Sequence, residues 1–174
     1  MRHQLLRAFG VCSTIVAASG CATTALLEQE LTKTNTQTVL AFEETVYNKH
    51  DVQTAFSHYV GEDFIEHDAQ LAGAAGKAAG TAAAERAYRA LIGGESADAH
   101  RTFSRSIAQR ELVATQSLWS RGEQAGVTLP VVDIYRLREG RIVEHWDVIG
   151  SPAEGGAGRR GSGGDAVPGA SLPP

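Results

Sequence analysis

The chain has 174 residues and a formal net charge of −4, a length that allows one compact domain. The first twenty residues carry Arg2 and Arg7 but no acid, so the charge of −4 becomes −6 if they are removed. A net negative charge of this size argues against nucleic acid as a partner.

The N-terminus has the order of a bacterial lipoprotein signal. A short basic start is followed by an apolar stretch from Ala8 to Ser19 and by small residues. This stretch is well under the roughly 20 residues that a membrane-spanning helix needs. Ala18-Ser19-Gly20-Cys21 resembles a lipobox. Residues 1–20 are therefore predicted to be a signal peptide, with Cys21 as the lipidated first residue of the mature protein.

Lipidation of Cys21 would anchor the protein to a membrane of the bacterial cell envelope after export across the inner membrane. Cys12 would leave with the signal, so no thiol would remain for a disulfide, a metal or a nucleophile. An ordinary cleaved signal with a free Cys21 is the alternative.

Three segments follow the signal. Residues 21–33 look like a tether, and residues 34–150 form the single predicted domain. Residues 151–174 are mostly Gly, Ala, Ser and Pro, with almost no large apolar side chain to bury. This composition predicts a disordered tail.

The first part of the domain has the apolar spacing of helices. A helix is predicted over residues 34–48, because apolar side chains recur on one face at Val39, Phe42 and Val46. Asp51 is a natural N-cap for a second helix over residues 52–59. Thr81 is expected to cap a third helix through Ile92, while residues 62–67 are expected to be extended and residues 68–80 a loop.

The second part of the domain has the pattern of consecutive strands. Four strands joined by turn-rich breaks are predicted: Arg101 to Ala108, Leu112 to Ser120, Thr128 to Leu137 and Arg141 to Ile149. Helices followed by hairpins predict an α+β fold, in which three helices pack on one face of an antiparallel sheet.

Ionisable residues interrupt the last two predicted strands. Asp133 lies within an apolar run, and His145-Trp146-Asp147 lies on the returning strand after a turn at Gly140. Charged groups in an apolar sheet are costly without partners, so they suggest a pocket. A two-residue turn would place Asp133 opposite Trp146, so a β-bulge is predicted that turns both aspartates inward.

Three segments resemble the SnoaL-like branch of the nuclear transport factor 2-like superfamily: Phe42 to Asp51, Tyr59 to His67, and Val131 to Val148. The resemblance implies a cone, in which a strongly curved sheet wraps around helices and encloses an apolar pocket. It also implies a homodimer formed through the outer face of the sheet. Relatives in this branch include polyketide cyclases, ketosteroid isomerases, epoxide hydrolases and proteins that only bind ligands, so the fold alone does not give the reaction.

The resemblance also implies roles for individual residues. Asp147 matches the position of the acid/base aspartate of the cyclases, and Asp133 matches a second polar pocket residue. His67 matches the histidine of a Gln-His-Asn-Pro-like stretch, which here reads Glu66-His67-Asp68-Ala69. Together with Tyr59 and Trp146, His67 is a candidate for substrate binding. If Asp147 faces inward, however, Trp146 faces outward, where a dimer partner would cover it.

Two functions remain open at this point. The first is a cofactor-independent cyclase or isomerase acting on a small apolar carbonyl compound, with Asp147 as the base and Asp133 or His145 as its partner or donor. The second is a non-catalytic, membrane-anchored lipoprotein that binds a small apolar ligand or a partner protein. Alternatively, His67, Asp133 and Asp147 have a purely structural role. They would then lie at the rim of the domain or in an interface and form salt bridges with Arg101, Arg136 or Arg141. No metal is predicted, because His67, His145 and Asp147 lack the local spacing of a metal motif.

Overall fold

A computed structural model describes residues 15–68, 71, 78–122 and 127–151, with side chains from residue 23 onward except at 78 and 79. Most of the predicted signal peptide and tail, and most of the loop at residues 68–80, lie outside these residues. The side chain of Cys21 does as well. Across the part of the chain that is described, no helix combines the length and the apolar character needed to cross a membrane.

Within the described residues, the helical layer contains three α-helices and one π-helical turn whose bounds are defined. They are α1 (Ile15–Glu43), the π-helical turn (Glu44–Asn48), α2 (Val52–Tyr59) and α3 (Thr81–Gly93). The helical segment formed by α1 and the π-helical turn ends at Asn48 as predicted, but it begins well before residue 34, so the predicted tether is helical in its backbone. The π-helical turn widens the end of this segment. It leaves Val46 and the neighbouring Tyr47 both buried.

The start of α2 confirms the predicted cap, and the start of α3 does not. The Asp51 carboxylate accepts a hydrogen bond from the backbone N–H of Thr54 at 3.0 Å. At α3 the N-cap residue is Gly80, at a φ of 85°. The hydroxyl of Thr81 instead donates to the carbonyl oxygens of Gly61 and Glu62, each at 2.7 Å, and so ties α3 to the first strand.

In the described part of the chain, six strands form one mixed, curved sheet with the spatial order β2-β1-β6-β5-β4-β3. The strands are β1 (Val60–Glu66), β2 (Ala78–Ala79), β3 (His100–Gln109), β4 (Leu112–Ser120), β5 (Thr128–Arg138) and β6 (Arg141–Ile149). The predicted α+β class and the four long strands are confirmed. The prediction of a purely antiparallel sheet is wrong at one pair, because β1 runs parallel to β6.

The β5–β6 hairpin contains the predicted bulge. Both turn residues have positive φ, 52° at Glu139 and 75° at Gly140, as in a type I′ turn. Beyond the turn, the register shifts by one at Val143. The shift pairs Asp133 with Asp147 across the two strands, and cross-strand partners share one face of a sheet.

The helices cover the inner face of the sheet, and the core lies between the two layers. Phe42 of α1 is the centre of the aromatic packing. Its ring contacts those of Phe56, Tyr88 and Tyr135 edge-on, with centroids 5.9 to 6.1 Å apart. One side chain therefore joins α1 to α2, α3 and β5, and this packing holds the inner face in place.

Candidate functional site

The inner face of β5 and β6 carries the ionisable residues predicted from the sequence. Asp133 is opposite Asp147, and Tyr135 is opposite His145. Asp133 and His145 are fully buried, whereas Asp147 is partly exposed. The structure therefore brings the three predicted catalytic residues to one face, at different depths.

His145 lies between two carboxylates. Its Nδ1 is 2.9 Å from Oε1 of Glu66, and its Nε2 is 3.2 Å from Oδ1 of Asp133. Both ring nitrogens must carry a proton to donate to these oxygens, so the ring is an imidazolium. Burial alone would lower the pKa of His145, but the hydrogen bonds to Asp133 and Glu66 raise it to about 10. Tyr88 completes the group by donating to Oε2 of Glu66 at 3.0 Å.

Arg101 supplies the second buried cation. Its Nη1 donates to Oδ2 of Asp133 at 2.6 Å, and its guanidinium lies 3.6 Å from the ring centre of Tyr47. Burial alone would raise the pKa of Asp133, but Arg101 and His145 outweigh it and lower that pKa. Arg101 was named from the sequence as a possible salt-bridge partner if Asp133 has a purely structural role. The pair does form, but it lies in the interior and not at the rim of the domain.

Glu43 is a buried acid, and only one of its carboxyl oxygens has a hydrogen-bond partner among the described residues. Its Oε1 accepts hydrogen bonds from Thr115 at 2.6 Å and Tyr135 at 3.1 Å. Desolvation, reinforced by the charge of Asp133, raises the pKa of Glu43 to about 8. Glu43 is therefore mostly protonated at neutral pH. The two cations Arg101 and His145 then balance the two carboxylates of Glu66 and Asp133.

Sequence reasoning missed two acids of this buried network, Glu43 and Glu66, and named Arg101 only as one of three possible arginine partners. A signal existed for Glu43, which repeats at helical spacing with Leu40 and Tyr47 beside the apolar face of the first helix. Glu66 alternates with Phe64 along β1, which also places it on the buried face. Arg101 begins a strand and carries no comparable signal.

Asp147 is the accessible member of the predicted set. Within the described residues, no hydrogen bond or ion pair involves its carboxylate. Desolvation, followed by repulsion from Asp68, raises the pKa of Asp147 to about 6. A carboxylate with this pKa is mostly ionised at neutral pH yet is a stronger proton acceptor than an ordinary aspartate.

Two of the three predicted substrate-binding residues, His67 and Trp146, lie away from this face. Trp146 pairs with Ile134 on the outer face of the sheet, and His67 stacks on its ring at a centroid distance of 4.5 Å. Nε2 of His67 lies 3.2 Å from Oε2 of Glu144. Tyr59 ends α2 and packs against the edge of the core. The structure thus joins His67 to Trp146 but separates both from Asp133 and Asp147.

An open groove of about 900 Å³ lies between α2, β1 and the start of α3. Phe56, Val60, Thr81 and Arg141 line part of it. Asp147 is not among its lining residues, so this groove is separate from the inner-face carboxylates. Among the described residues, no three His, Cys, Asp or Glu side chains are arranged to hold a metal ion.

Comparison with known protein families identifies this architecture. Residues 39–145, more than half of the chain, match the SnoaL-like domain. The chain belongs to the SnoaL-like domain family. The matched residues include Glu43, Glu66, Arg101, Asp133 and His145, while Asp147 lies two residues beyond the match. Among curated proteins, none matches the chain.

Solved structures of similar fold agree with this assignment. An NTF2-like protein of unknown function from Mesorhizobium loti superposes with a TM-score of 0.56 and 16% identity, covering 69% of this chain and 93% of its own. IdmH from Streptomyces antibioticus, a candidate polyketide cyclase, superposes with a TM-score of 0.55 and 19% identity, covering 66% of this chain and 91% of its own. An LEH-like epoxide hydrolase from M. tuberculosis superposes with a TM-score of 0.51 and 18% identity, covering 68% of this chain and 84% of its own. At these identities the likeness shows the fold alone.

Proposed function

We propose that this SnoaL-like domain binds a small apolar carbonyl compound and catalyses a cofactor-independent proton transfer with Asp147 as the base. The observation that carries the proposal is the placement of Asp147. It is a partly exposed carboxylate with a pKa of about 6 on the inner face of the sheet, opposite a buried charged network. General bases work best when their pKa lies near the working pH.

In this reaction, Asp133 and His145 act as positioning residues rather than as bases. Both are fully buried, and both are held by ion pairs on more than one side. They hold β5 and β6 in the bulged register that directs Asp147 inward. A carbonyl substrate and a proton-transfer reaction are suggested by analogy with cyclases, isomerases and epoxide hydrolases of this fold. The acid/base chemistry proposed for this protein rests on Asp147 itself.

Exchange of α-protons for deuterium tests this function without knowledge of the natural substrate. We expect the protein to accelerate exchange in small cyclic ketones such as 1-indanone, followed by ¹H NMR in D₂O. Because the carboxylate is the active form, the rate should rise with pH through about 6 and then level off. Exchange no faster than in buffer for a panel of such ketones would refute the enzyme function and leave ligand binding alone.

The alternative is a non-catalytic, membrane-anchored lipoprotein that binds a small apolar ligand or a partner protein. Residues 23–31 of α1 are all exposed, as expected of a spacer between a lipid at Cys21 and the domain. We expect Cys21→Ser to release the full-length protein from the membrane fraction. Metabolic labelling with a lipid precursor checks the modification directly. An unlabelled wild-type protein would refute the anchor and the envelope location that depends on it.

A homodimer through the outer face of the sheet is also proposed. Large apolar side chains are exposed on β3 to β6, including Ile107 at 72%, Leu118 at 48% and Val148 at 66%. A partner subunit over this face would cover them, together with Trp146. Sedimentation should show a dimer that Leu118→Lys converts to a monomer, while a monomeric wild type at micromolar concentration would contradict the proposal.

A further inference from the structure

Three leucines near the N-terminal end of α1 are exposed to solvent. Leu26 is 63% exposed, Leu27 is 67% exposed and Leu31 is 43% exposed. Single exposed apolar side chains are common on protein surfaces, whereas a group of large ones marks a contact surface. These three lie close together on one helix and form such a group.

The helical spacing gives two of the leucines a side of α1 that carries no charge. Leu27 and Leu31 are four positions apart, so their side chains lie one above the other. At about 100° per residue, Glu28 and Glu30 lie to either side of this pair rather than on it. Leu26 extends the apolar surface around the helix at the end nearest Cys21.

This part of α1 is a rigid continuation of a core helix. The buried Asn35 donates from Nδ2 to the carbonyl oxygen of Arg110 at 2.8 Å. The backbone N–H of Arg110 donates to the hydroxyl of Thr32 at 3.2 Å. These bonds join α1 to the β3–β4 turn just beyond Leu31. Because the same helix continues back through residue 21, the orientation of the domain follows that of the leucines.

The charges beside the leucines balance one another. Oε1 of Glu28 is 3.6 Å from Nη1 of Arg110, and Oε2 of Glu30 is 3.9 Å from Nζ of Lys33. Glu28 and Glu30 are the two acids between residues 22 and 33, and each has a cation beside it. The surface around the leucines can therefore approach anionic lipid headgroups without net repulsion.

We infer that Leu27 and Leu31, together with Leu26, contact the interfacial layer of the membrane that holds the lipid at Cys21. The inference rests on the proposed anchor and adds how the domain is seated on it. Leu27 lies roughly 9 Å and Leu31 roughly 15 Å from Cys21 along the helix axis, at about 1.5 Å per residue. Amphipathic helices bury their apolar side roughly 5–10 Å deep, at the boundary of headgroups and acyl chains. A tilted α1 brings both leucines into this layer and holds the β3–β4 turn near the bilayer.

A fluorescent probe at position 27 tests the contact. In the mature lipidated protein the thiol of Cys21 is alkylated and Cys12 has left with the signal, so Leu27→Cys supplies the one thiol for labelling with NBD. The protein is reconstituted into vesicles of phosphatidylethanolamine and phosphatidylglycerol. Aqueous iodide should quench this probe about fivefold less than a probe at Gln29→Cys, which is exposed on the opposite side of α1. Doxyl groups on the acyl chains should quench the probe at position 27 and not the probe at position 29.

A charge placed on either side of the helix gives a matched pair of variants. Leu31→Glu should remove the protection of the probe at position 27, because a carboxylate is not accommodated in the interfacial layer. Gln29→Glu should leave the protection unchanged. Both side chains are exposed, so neither substitution disturbs the core. Protection that survives Leu31→Glu would overturn the contact.

Vesicle flotation separates this contact from the anchor itself. A protein that floats with the vesicles while iodide quenches both probes equally would overturn the contact and leave the anchor. Protection of position 27 without quenching by the doxyl lipids would assign the leucines to a second copy of the chain, and would also overturn the contact. A protein that neither incorporates a lipid precursor nor floats would overturn the anchor and the contact together.

Discussion

Replacing Arg101 with methionine should destabilise the domain by about 3–5 kcal/mol, because it leaves the Asp133 carboxylate buried without its closest cation. Arg101 and Asp133 are joined at 2.6 Å, and both side chains are almost completely buried. Methionine preserves much of the volume against Tyr47, so the loss is mainly electrostatic. Urea denaturation followed by circular dichroism measures the free energy of unfolding.

A second ion pair of the same length is a matched control. Arg138 donates to Asp63 at 2.6 Å, but both side chains are more than half exposed. Arg138→Met should therefore cost less than about 1 kcal/mol, since exposed pairs are screened by water and salt. If Arg101→Met is no more destabilising than Arg138→Met, the buried network does not hold the inner face as described.

Asp147→Asn should reduce α-proton exchange by roughly 100-fold to 10,000-fold, the range contributed by a general base. Asparagine keeps the shape of the side chain and cannot accept the proton. Because Asp147 has no hydrogen bond or ion pair within the described residues, the substitution breaks no contact that stabilises the fold. The folded-state pKa of Asp147 lies above its ordinary value of 3.8, so its ionisation lowers the stability of the fold as the pH rises from about 3.8 to about 6, and the loss is complete above that pH. The substitution removes this effect, and stability at neutral pH should not fall.

Asp63→Asn is the appropriate control for the loss of a carboxylate. Asp63 lies on β1 with an exposed side chain and takes no part in the inner-face network. Its substitution should leave the exchange rate unchanged within twofold. Retention of most of the exchange activity by Asp147→Asn would remove Asp147 from the reaction, whatever the result with Asp63.

The sequence was most informative where the structure is local. The β5–β6 hairpin joins segments only a few residues apart, so the positive φ of Gly140 and the alternation of side chains determine its turn and faces. A bulge was predicted because an unshifted register would have paired Asp133 with Trp146, and the structure places it at Val143. These features bring Asp133, His145 and Asp147 to one face.

The partners of these residues come from distant parts of the chain, so Glu66 was not predicted and Arg101 was named only as one of three possible arginines. Glu66 reaches His145 through the parallel pairing of β1 with β6, across most of the domain. Arg101 reaches Asp133 across an intervening strand. No local pattern encodes such contacts, and an isolated charge in an amphipathic segment looks the same whether it is exposed or paired in the core.

The separation of His67 and Trp146 from the inner face has a simple physical reason. Neighbouring residues in a strand point to opposite faces, so Trp146 must face away from both His145 and Asp147. His67 follows the end of β1, and its ring lies against Trp146 at an interplanar angle of 5°. A resemblance in sequence aligned His67 with a position of the family, but the direction of its side chain depended on this stacking contact.

The pKa of Asp147 in the folded protein is the most direct test of the central claim. It can be measured by NMR titration of the carboxyl carbon of ¹³C-labelled protein, with Asp147→Asn to assign the resonance. A midpoint near 6 is expected, because the partly desolvated inner face and the nearby Asp68 both oppose ionisation. A midpoint near the ordinary aspartate value of 3.8 would show a solvated surface carboxylate, and that result would contradict Asp147 as the base.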